Sequence, residues 1–439
     1  MAYLLNLVYL ALLVALAPWF AVQSILRGKY REGFAAKFLG LVPRRTSNRR
    51  CVWLHAVSVG EVNLLGPLVD EIERRHGGWE CVVSTTTMTG YALARTRYPE
   101  LCVFYCPLDF SWAVRNAMHR VRPDVLVLAE LELWPNLICA ASDFGAGVAI
   151  VNGRLSDRSF RDYRRIRPLV ARLLSRVGLI AAQNDEYAQR FIALGASPSA
   201  VRVTGSIKFD NAQTDRDNPK TRRLRELAGI SATDVVLLAG STQHPEESLA
   251  LAAFARLSVD WPHLRLILVP RHPDRFEEVA ALLDRSGVCW QRRSSLAGPA
   301  ADPQARALLV DTVGELGAWW GTAHIAFVGG SLSRRGGQNM IEPAAYGAAV
   351  AFGPNTWNFR DVAAALLAAD AARVVRGGEE LTEFVRHALE SPNTAAAMGA
   401  RAQTLVQSQI GATHRTIDAL AHLIDRDGEA ANDASRAAA

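Results

Sequence analysis

The sequence predicts an α/β protein made of two doubly wound domains, and three observations lead to this prediction. The chain has 439 residues, which is long for a single hydrophobic core. Two successive series of short apolar runs alternate with helix-like sequence, as buried parallel strands require. One polar segment with an Asn-Pro break, residues 211–219, separates the two series as a linker. We therefore expect a first domain over residues 51–210 and a second over residues 220–427, facing each other across a cleft.

The segment before the first domain predicts a membrane anchor. Residues 1–26 contain no charged side chain, and they are long enough to cross a bilayer as a helix that Pro18 would kink. No positive residue precedes Arg27, which argues against a cleaved signal peptide. A helix that spans the membrane and a helix that lies in one leaflet both fit this pattern.

A basic juxtamembrane segment, residues 27–50, follows the apolar run. Its acidic residue is Glu32, and its basic residues are Arg27, Lys29, Arg31, Lys37, Arg44, Arg45, Arg49 and Arg50. Because the whole chain carries a net charge of +6, the remainder is close to neutral and nucleic-acid binding does not explain the basicity. Positive flanks stay cytoplasmic, so we expect the folded domains on the cytoplasmic side of the inner membrane. A plain anchor explains most of these charges, which also suit anionic lipid head groups or a phosphorylated lipid.

The predicted strands are short apolar runs bounded by turn residues. In the first domain they are Cys51–Ala56, Glu80–Thr85, Leu101–Tyr105, Val125–Ala129, Gly147–Asn152 and Leu179–Gln183, and the series ends near Val201–Thr204. In the second domain they are Val235–Ala239, Arg265–Pro270, Val288–Gln291, Ala307–Asp311, Ile325–Val328 and Ala349–Phe352. The Ala-, Ser- and Asp-rich tail, residues 428–439, is predicted to be disordered.

The cysteine pattern indicates a reducing environment. The six cysteines include no C-x-x-C pair and no Cys/His spacing that is typical of zinc. We therefore predict reduced thiols, most of them buried, and no disulfides.

Three glutamates and one lysine follow strands of the first domain. Glu61 lies at the mouth of a helix, where it fits both a general base for a substrate hydroxyl and a first-turn glutamate favoured by the helix dipole. Glu130 and Glu132 follow the apolar strand Val125–Ala129, so at least one is expected to meet a substrate or a basic partner. Lys208 suits a phosphate or a sugar carboxylate.

The second domain carries candidate anion-binding segments. Arg271 and His272 end a strand and offer donors for phosphate or carboxylate. Residues 313–315 follow another strand, where a glycine lets the backbone approach a ligand. The glycine-rich stretch 328–343 is the strongest local signal, because exposed backbone N–H groups at a helix start form a phosphate-type site. Glu342 within it would repel phosphate and is expected to hold a pair of ribose hydroxyls.

Two Asp-x-Asp spacings raise the question of a metal site. Both, Asp215/Asp217 and Asp425/Asp427, lie in polar sequence that we expect to be exposed, and we interpret neither as a metal site. Cationic side chains such as Arg271, His272 and Lys208, with helix N-termini, can stabilise a leaving phosphate instead. No metal ion and no other cofactor is therefore expected.

Taken together, these segments resemble the 3-deoxy-D-manno-octulosonic acid (Kdo) transferases of lipopolysaccharide assembly, over nearly the whole chain. The resemblance rests on ten features in the family's order. They are the N-terminal anchor, HAVSVGE (55–61), ELELWPN (130–136), NGRLS (152–156), AAQN (181–184), VTGSIKFD (203–210), LILVPRHPDRF (266–276), DTVGEL (311–316), FVGGSL (327–332) and GGQNMIEPA (336–344).

The resemblance implies a GT-B glycosyltransferase fold and transfer of Kdo from CMP-Kdo to a lipid A precursor of the lipid IVA type, without a metal ion. It implies that Glu61 is the general base of an inverting reaction and that Glu130 and Lys208 stabilise the transition state. The residues that it assigns to CMP binding are Arg271, His272, Val313, Gly314, Glu315, Asn339, Met340, Ile341 and Glu342.

Two positions depart from the family's usual pattern. Gln243 and Gln338 stand where the family usually has histidine, which keeps hydrogen bonding but removes a titrating group. We expect intact donor binding with an altered pH dependence. Two alternatives remain: a GT-B transferase or epimerase that uses a UDP-sugar, and a membrane-anchored binding protein without catalysis.

Overall fold

The structure is a computed structural model, and it describes residues 2–27, 32–296 and 302–437. Within it the chain forms two compact units, one made of Met1–Asp210 with Ile410–Ala439 and the other of Asn211–Gln409. The C-terminal residues 410–427, which the sequence analysis assigned to the second domain, therefore belong to the first unit. Each unit contains an open, all-parallel sheet with helices between its strands, as the predicted fold class requires.

The described part of the first unit contains a seven-stranded parallel sheet in the order β3-β2-β1-β4-β5-β6-β7. Its strands are β1 (Arg50–His55), β2 (Trp79–Thr85), β3 (Cys102–Tyr105), β4 (Val125–Ala129), β5 (Gly147–Gly153), β6 (Leu179–Ala182) and β7 (Val201–Val203). Apolar side chains are buried on both faces: Trp53 and Leu126 point to one core, and Leu54 and Val127 to the other. Successive strands are added to one side of β1 up to β3 and to its other side from β4 onward. Doubly wound sheets bind ligands at such a switch point, which lies here between β1 and β4.

Helices cover both faces of the first sheet. They are α1 (Ala2–Arg27), α2 (Phe34–Leu39), α3 (Val59–Arg75), α4 (Met88–Arg97), α5 (Ser111–Val121), α6 (Pro135–Phe144), α7 (Asp157–Arg165), α8 (Arg167–Leu174) and α9 (Asp185–Leu194). The start of α3 is set by Ser58, whose hydroxyl accepts a hydrogen bond from the backbone N–H of Glu61. This helix brings Glu61 to the carboxyl end of β1.

The second unit repeats the same architecture. Its described residues form a seven-stranded parallel sheet in the order β10-β11-β9-β8-β12-β13-β14. The strands are β8 (Val235–Thr242), β9 (Leu264–Pro270), β10 (Trp290–Arg292), β11 (Ala307–Leu309), β12 (Ile325–Val328), β13 (Ala349–Phe352) and β14 (Ala372–Val374). The helices are α10 (Pro219–Leu227), α11 (Glu246–Leu257), α12 (Phe276–Asp284), α13 (Leu316–Trp319), α14 (Ile341–Ala345), α15 (Arg360–Ala368), α16 (Gly378–Glu390) and α17 (Pro392–Gln409). The edge strand β14 was not predicted.

The C-terminal helix α18 (Ala412–Ala437) packs on the first unit. Asp210 caps its start, since its carboxylate accepts hydrogen bonds from the backbone N–H groups of Gly411 at 2.7 Å, Ala412 at 3.2 Å and Thr413. The buried side chain of Leu420 joins the core beneath β1 and β4. Residues 428–437, predicted to be disordered, continue α18, and their alanine content accounts for this because alanine has the highest helix propensity.

The N-terminal segment forms the long helix α1, which carries exposed apolar side chains such as Leu7, Val14 and Trp19. Among the residues that the structure describes, no helix has both the length and the apolar character needed to cross a membrane. The anchor over residues 1–26 stays a prediction.

The basic segment after α1 is partly tied to the folded unit. Arg45 pairs with Glu80 at 3.1 Å and donates to backbone carbonyls, and Arg49 donates to the carbonyl of Trp79 at 2.8 Å. Both side chains therefore have partners within the first unit. Lys29 and Arg31 lie outside the described residues.

The six cysteines are all free, as predicted, but only three of them are buried, so the expectation that most would be buried is wrong.

Candidate active site

Glu61 belongs to a capping box at the start of α3. Its carboxylate accepts hydrogen bonds from the backbone N–H of Val57 at 2.8 Å and from the hydroxyl of Ser58 at 2.7 Å, while Ser58 accepts from the Glu61 N–H. This arrangement fixes the carboxylate at the carboxyl end of β1. Glu61 therefore has the helix-start role that was the alternative to catalysis. The same hydrogen bonds also hold its carboxylate in place.

Glu130 and Lys208 form an ion pair at the end of the neighbouring strand β4. Nζ of Lys208 lies 2.8 Å from Oε1 of Glu130. Glu130 has a φ of 57°, a left-handed conformation that a non-glycine residue rarely adopts without a functional or structural reason. Its N–H is held by the carbonyl of Val151 at 2.9 Å. The turn bearing Lys208 is held by Asn152, whose Oδ1 accepts from the N–H of Ile207 at 3.1 Å.

The structure brings these three predicted residues together. Burial raises the pKa of Glu61, and hydrogen bonds from Val57 and Ser58 oppose that rise. The negative charge of Glu130 raises the pKa of Glu61 further, while the positive charge of Lys208 lowers it. Glu61, Glu130 and Lys208 therefore interact electrostatically at one edge of the sheet.

Glu132 is a fourth group in this cluster. The strand pattern did not distinguish it from Glu130, and the family resemblance assigned a role to Glu130 alone. Burial raises its pKa to about 7, with a further contribution from the charge of Glu61. A carboxyl group that titrates near neutral pH can exchange a proton with a substrate at physiological pH. The two glutamates that follow β4 in the sequence pointed to this site, but the burial of Glu132 could not be predicted from the sequence.

In the second unit, Arg271 and His272 follow β9 and are exposed. The backbone N–H of Arg271 donates to the carbonyl of Thr242 at 3.0 Å, which joins the ends of β9 and β8. Glu342 accepts a hydrogen bond from Asn339 at 3.0 Å. Burial raises the pKa of Glu342, while the hydrogen bond from Asn339 and the positive charge of Arg271 act in the opposite direction.

The remaining predicted CMP-binding residues differ in what they can offer. Val313 is exposed and Gly314 has a φ of 90°, so this loop presents its backbone. The carboxylate of Glu315 is already bound by Arg293, through Nε at 2.9 Å and Nη2 at 2.8 Å, and these contacts help to lower its pKa against the effect of burial. The side chains of Met340 and Ile341 are buried, and the backbone N–H of Ile341 already donates to Oδ1 of Asn339 at 3.0 Å.

The glycine-rich loop after β12 is organised by a residue that the sequence analysis did not select, Glu246. Its carboxylate accepts hydrogen bonds from the backbone N–H groups of Gly330 at 2.7 Å, and Ser331 and Leu332 at 2.9 Å each. The expectation that these amides form an open phosphate site is therefore wrong for this part of the loop. A buried carboxylate must be hydrogen-bonded, and Glu246 obtains its donors here.

The two positions with glutamine in place of histidine both lie beside Gly330. A Cβ atom built on Gly330 would lie 3.1 Å from Nε2 of Gln338 and 3.5 Å from Nε2 of Gln243. The backbone N–H of Gln243 also donates to Glu246 at 2.9 Å. The two substitutions therefore belong to one structural unit, although they are far apart in the sequence.

Within the described residues, no group of three or more His, Cys, Asp or Glu side chains is arranged so that it could hold a metal ion.

Comparison with known proteins shows which family this chain is similar to. Residues 31–211 match the family model described as 3-deoxy-D-manno-octulosonic-acid transferase (kdotransferase). The 3-deoxy-D-manno-octulosonic acid transferase of Bordetella pertussis is 35% identical over 84% of this chain and 86% of the relative. The enzyme of the same name from Haemophilus influenzae is 30% identical over 95% of this chain and 99% of the relative. Among solved structures, UDP-GlcNAc 2-epimerase from Neisseria meningitidis covers 85% of this chain and 100% of its own with a TM-score of 0.57; at 13% identity this likeness concerns the fold alone.

Proposed function

Because the chain belongs to the Kdo transferase family and is a glycosyltransferase, we propose that it transfers Kdo from CMP-Kdo to a hydroxyl of a lipid A precursor of the lipid IVA type. The observation that carries the proposal is the cluster of Glu61, Glu130 and Lys208 at the carboxyl ends of β1 and β4. It offers a half-buried carboxylate beside an ion pair, which suits activation of a hydroxyl and stabilisation of developing charge.

In the proposed reaction Glu61 takes the proton from the acceptor hydroxyl. The hydroxyl oxygen then forms a bond to the anomeric carbon of Kdo, and the bond from that carbon to the phosphate oxygen of CMP breaks with inversion. The electron pair of the broken bond goes to the phosphate of CMP, and Lys208 and Glu130 stabilise the transition state. The raised pKa of Glu61 supports its role, because a base works best when its pKa is close to the working pH.

The donor is proposed to bind to the second unit. Arg271 is exposed beside the carboxyl end of β9, where its guanidinium suits the phosphate of CMP. Asn339 and Glu342, joined by a hydrogen bond, suit the ribose hydroxyls, and the backbone around Gly314 is open to a ligand. These cations and dipoles would stabilise the leaving group, so we propose a reaction that needs no metal ion.

The enzyme is proposed to act at the cytoplasmic face of the inner membrane, with α1 as its anchor. Leu7 is 65% exposed and Val14 is 69% exposed, and a lipid phase would cover such side chains. The basic residues that follow α1 support this orientation.

The test is transfer of Kdo from CMP-Kdo to lipid IVA by the purified full-length protein in detergent, with EDTA present throughout. Wild-type protein is expected to form product, and Glu61→Gln is expected to lose turnover while retaining CMP binding. Glutamine can serve in a capping box, so this variant should keep the helix start intact. Failure of the wild-type protein to bind CMP would overturn the proposal, and product from a UDP-sugar donor instead would favour another GT-B reaction.

A further inference from the structure

Three elements of the first unit meet at a buried polar cluster outside the residues discussed so far. Asn6 lies on α1, Asp109 lies in the turn after β3, and Asn136 lies in the first turn of α6; they are 8%, 4% and 5% exposed. Groups of this kind are seldom buried unless their hydrogen bonds are satisfied. All three are paired here, and the pairing joins α1 to the start of α6.

Asp109 caps α6, which has no side-chain cap of its own. The two oxygens of its carboxylate accept hydrogen bonds from the backbone N–H of Asn136 at 3.0 Å and that of Leu137 at 2.8 Å. The side chain of Asn136 donates in turn to the carbonyl of Asp109 at 2.6 Å. A negative charge at the N-terminus of a helix is stabilising, so Asp109 fixes where α6 begins.

The N-terminal helix holds Asp109 from the other side. The hydroxyl of Tyr9 donates to Oδ2 of Asp109 at 3.0 Å. Nδ2 of Asn6 donates to the hydroxyl of Ser111 at 2.8 Å, and Oδ1 of Asn6 accepts from the N–H of Ser111 at 3.0 Å. Among the α1 side chains that the structure describes, only Asn6 is buried. The docking of α1 therefore uses polar residues, whereas apolar residues such as Leu7 and Val14 are exposed.

A helix that served only as a lipid anchor would gain nothing from Asn6, because polar groups are costly in an apolar phase. The first turn of α6, which Asp109 caps, follows closely after Glu130 and Glu132, because α6 begins at Pro135, three residues after Glu132. A small displacement of catalytic groups can reduce turnover strongly. The contacts of α1 are thus placed to influence the position of both glutamates.

We propose that α1 is a positioning element of the enzyme, which fixes the first turn of α6 and thereby the loop that carries Glu130 and Glu132. Tyr9 acts through Asp109, and Asn6 acts through Asn136, whose Nδ2 donates to Oδ1 of Asn6 at 3.4 Å. The inference rests on the proposed function for its kinetic consequence, but the coupling itself is structural. It gives the N-terminal helix a role in turnover in addition to its proposed role in membrane attachment.

The test compares Tyr9→Phe with Tyr3→Phe, a matched change at a position on the same helix that is 80% exposed. Both full-length variants are assayed in detergent micelles, so that membrane attachment does not differ between them. Tyr9→Phe is expected to lower kcat about tenfold with little change in KM for CMP-Kdo, and Tyr3→Phe is expected to match wild type. In an Asp109→Asn background, Tyr9→Phe should have little further effect on kcat, because the two residues act through one contact.

Hydrogen exchange at the backbone amides of Asn136 and Leu137 gives a readout that does not need activity. Tyr9→Phe is expected to speed exchange at both amides, and Tyr3→Phe is expected to leave it unchanged. Equal exchange in the two variants would overturn the coupling. If wild-type protein transferred no Kdo while the exchange difference persisted, the proposed function would fail and the structural coupling would stand; if exchange differed but kcat did not, the role in turnover would be refuted.

Discussion

Oε2 of Glu246 accepts a hydrogen bond from the backbone N–H of Gly330 at 2.7 Å, and the same carboxylate binds three further amides. Glu246 begins α11, and Gly330 follows β12, so the contact joins two loops at the carboxyl edge of the second sheet. The neighbouring position 329 requires glycine, because a Cβ atom there would lie only 2.8 Å from Oε2 of Glu246. The carboxylate thus sets the shape of the loop that precedes the proposed CMP-binding residues.

Replacing Glu246 with glutamine is expected to destabilise the second unit and weaken CMP binding. One oxygen would become an NH2 group, which cannot accept from the loop amides, and each buried amide left unpaired costs about 1–3 kcal/mol. We expect the thermal midpoint to fall by roughly 5 °C, measured by scanning calorimetry. Glu379→Gln, at a position 93% exposed, is the control. A Glu246→Gln protein as stable as this control would contradict the assignment.

Replacing Lys208 with methionine is expected to lower kcat by roughly 10²–10³-fold, because a preorganised cation beside the developing charge is lost. The variant also leaves Glu130 without its partner at 2.8 Å. Single-turnover rates with CMP-Kdo would measure the change, and Lys220→Met, an exposed lysine on α10, is the control. Turnover within threefold of wild type would show that the ion pair is not part of the catalytic site.

Much of the fold could be predicted because parallel strands are continuous apolar runs. The predicted bounds of β4, β12 and β13 coincide with those in the structure, since each run is entirely apolar and buried. The edge strand β14 was missed because Ala-Arg-Val is short and has a charged residue at its centre. The return of α18 to the first unit was also missed, since an amphipathic pattern does not show which core a helix will cover.

The candidate site was predictable only where a topological rule applied. Glu61 and the pair Glu130 and Glu132 became candidates because ligands bind at the carboxyl ends of parallel strands. The family resemblance then singled out Glu61, Glu130 and Lys208, and the structure places these three close together. The roles of Glu246 and Asp109 depend on contacts between residues far apart in the chain, which no local pattern encodes. Gly329 and Gly330 indicated a loop of backbone N–H donors but not which acceptor would bind them.

Glu132 is expected to make stability depend on pH. Burial raises its pKa to about 7 in the folded protein, above the usual value of 4.5, so the folded state holds this proton over a range where the unfolded state has lost it. Stability is therefore lost progressively as the pH rises from about 4.5 to about 7. The difference in thermal midpoint, Glu132→Gln minus wild type, should increase between pH 5 and pH 8. Glu100→Gln, at an exposed position, should show no such trend, and a flat difference for Glu132→Gln would refute the prediction.

Gln243 and Gln338 are expected to act together on the pH dependence of donor binding. Both amides lie beside Gly330, and neither side chain titrates, so CMP affinity in the wild-type protein should receive no contribution from these positions between pH 5.5 and 7.5. A histidine here would gain a proton near pH 6.5 and attract phosphate, so CMP binding by Gln338→His should tighten as the pH falls. The double variant Gln243→His/Gln338→His should respond less than additively, because two neighbouring cations disfavour each other's protonation.

Calorimetric titrations with CMP at several pH values would measure the pH dependence of CMP affinity in these variants, with the exposed Gln407→His as control. If Gln338→His bound CMP with the pH dependence of the wild type, the loop around Gly330 would not sense the phosphate.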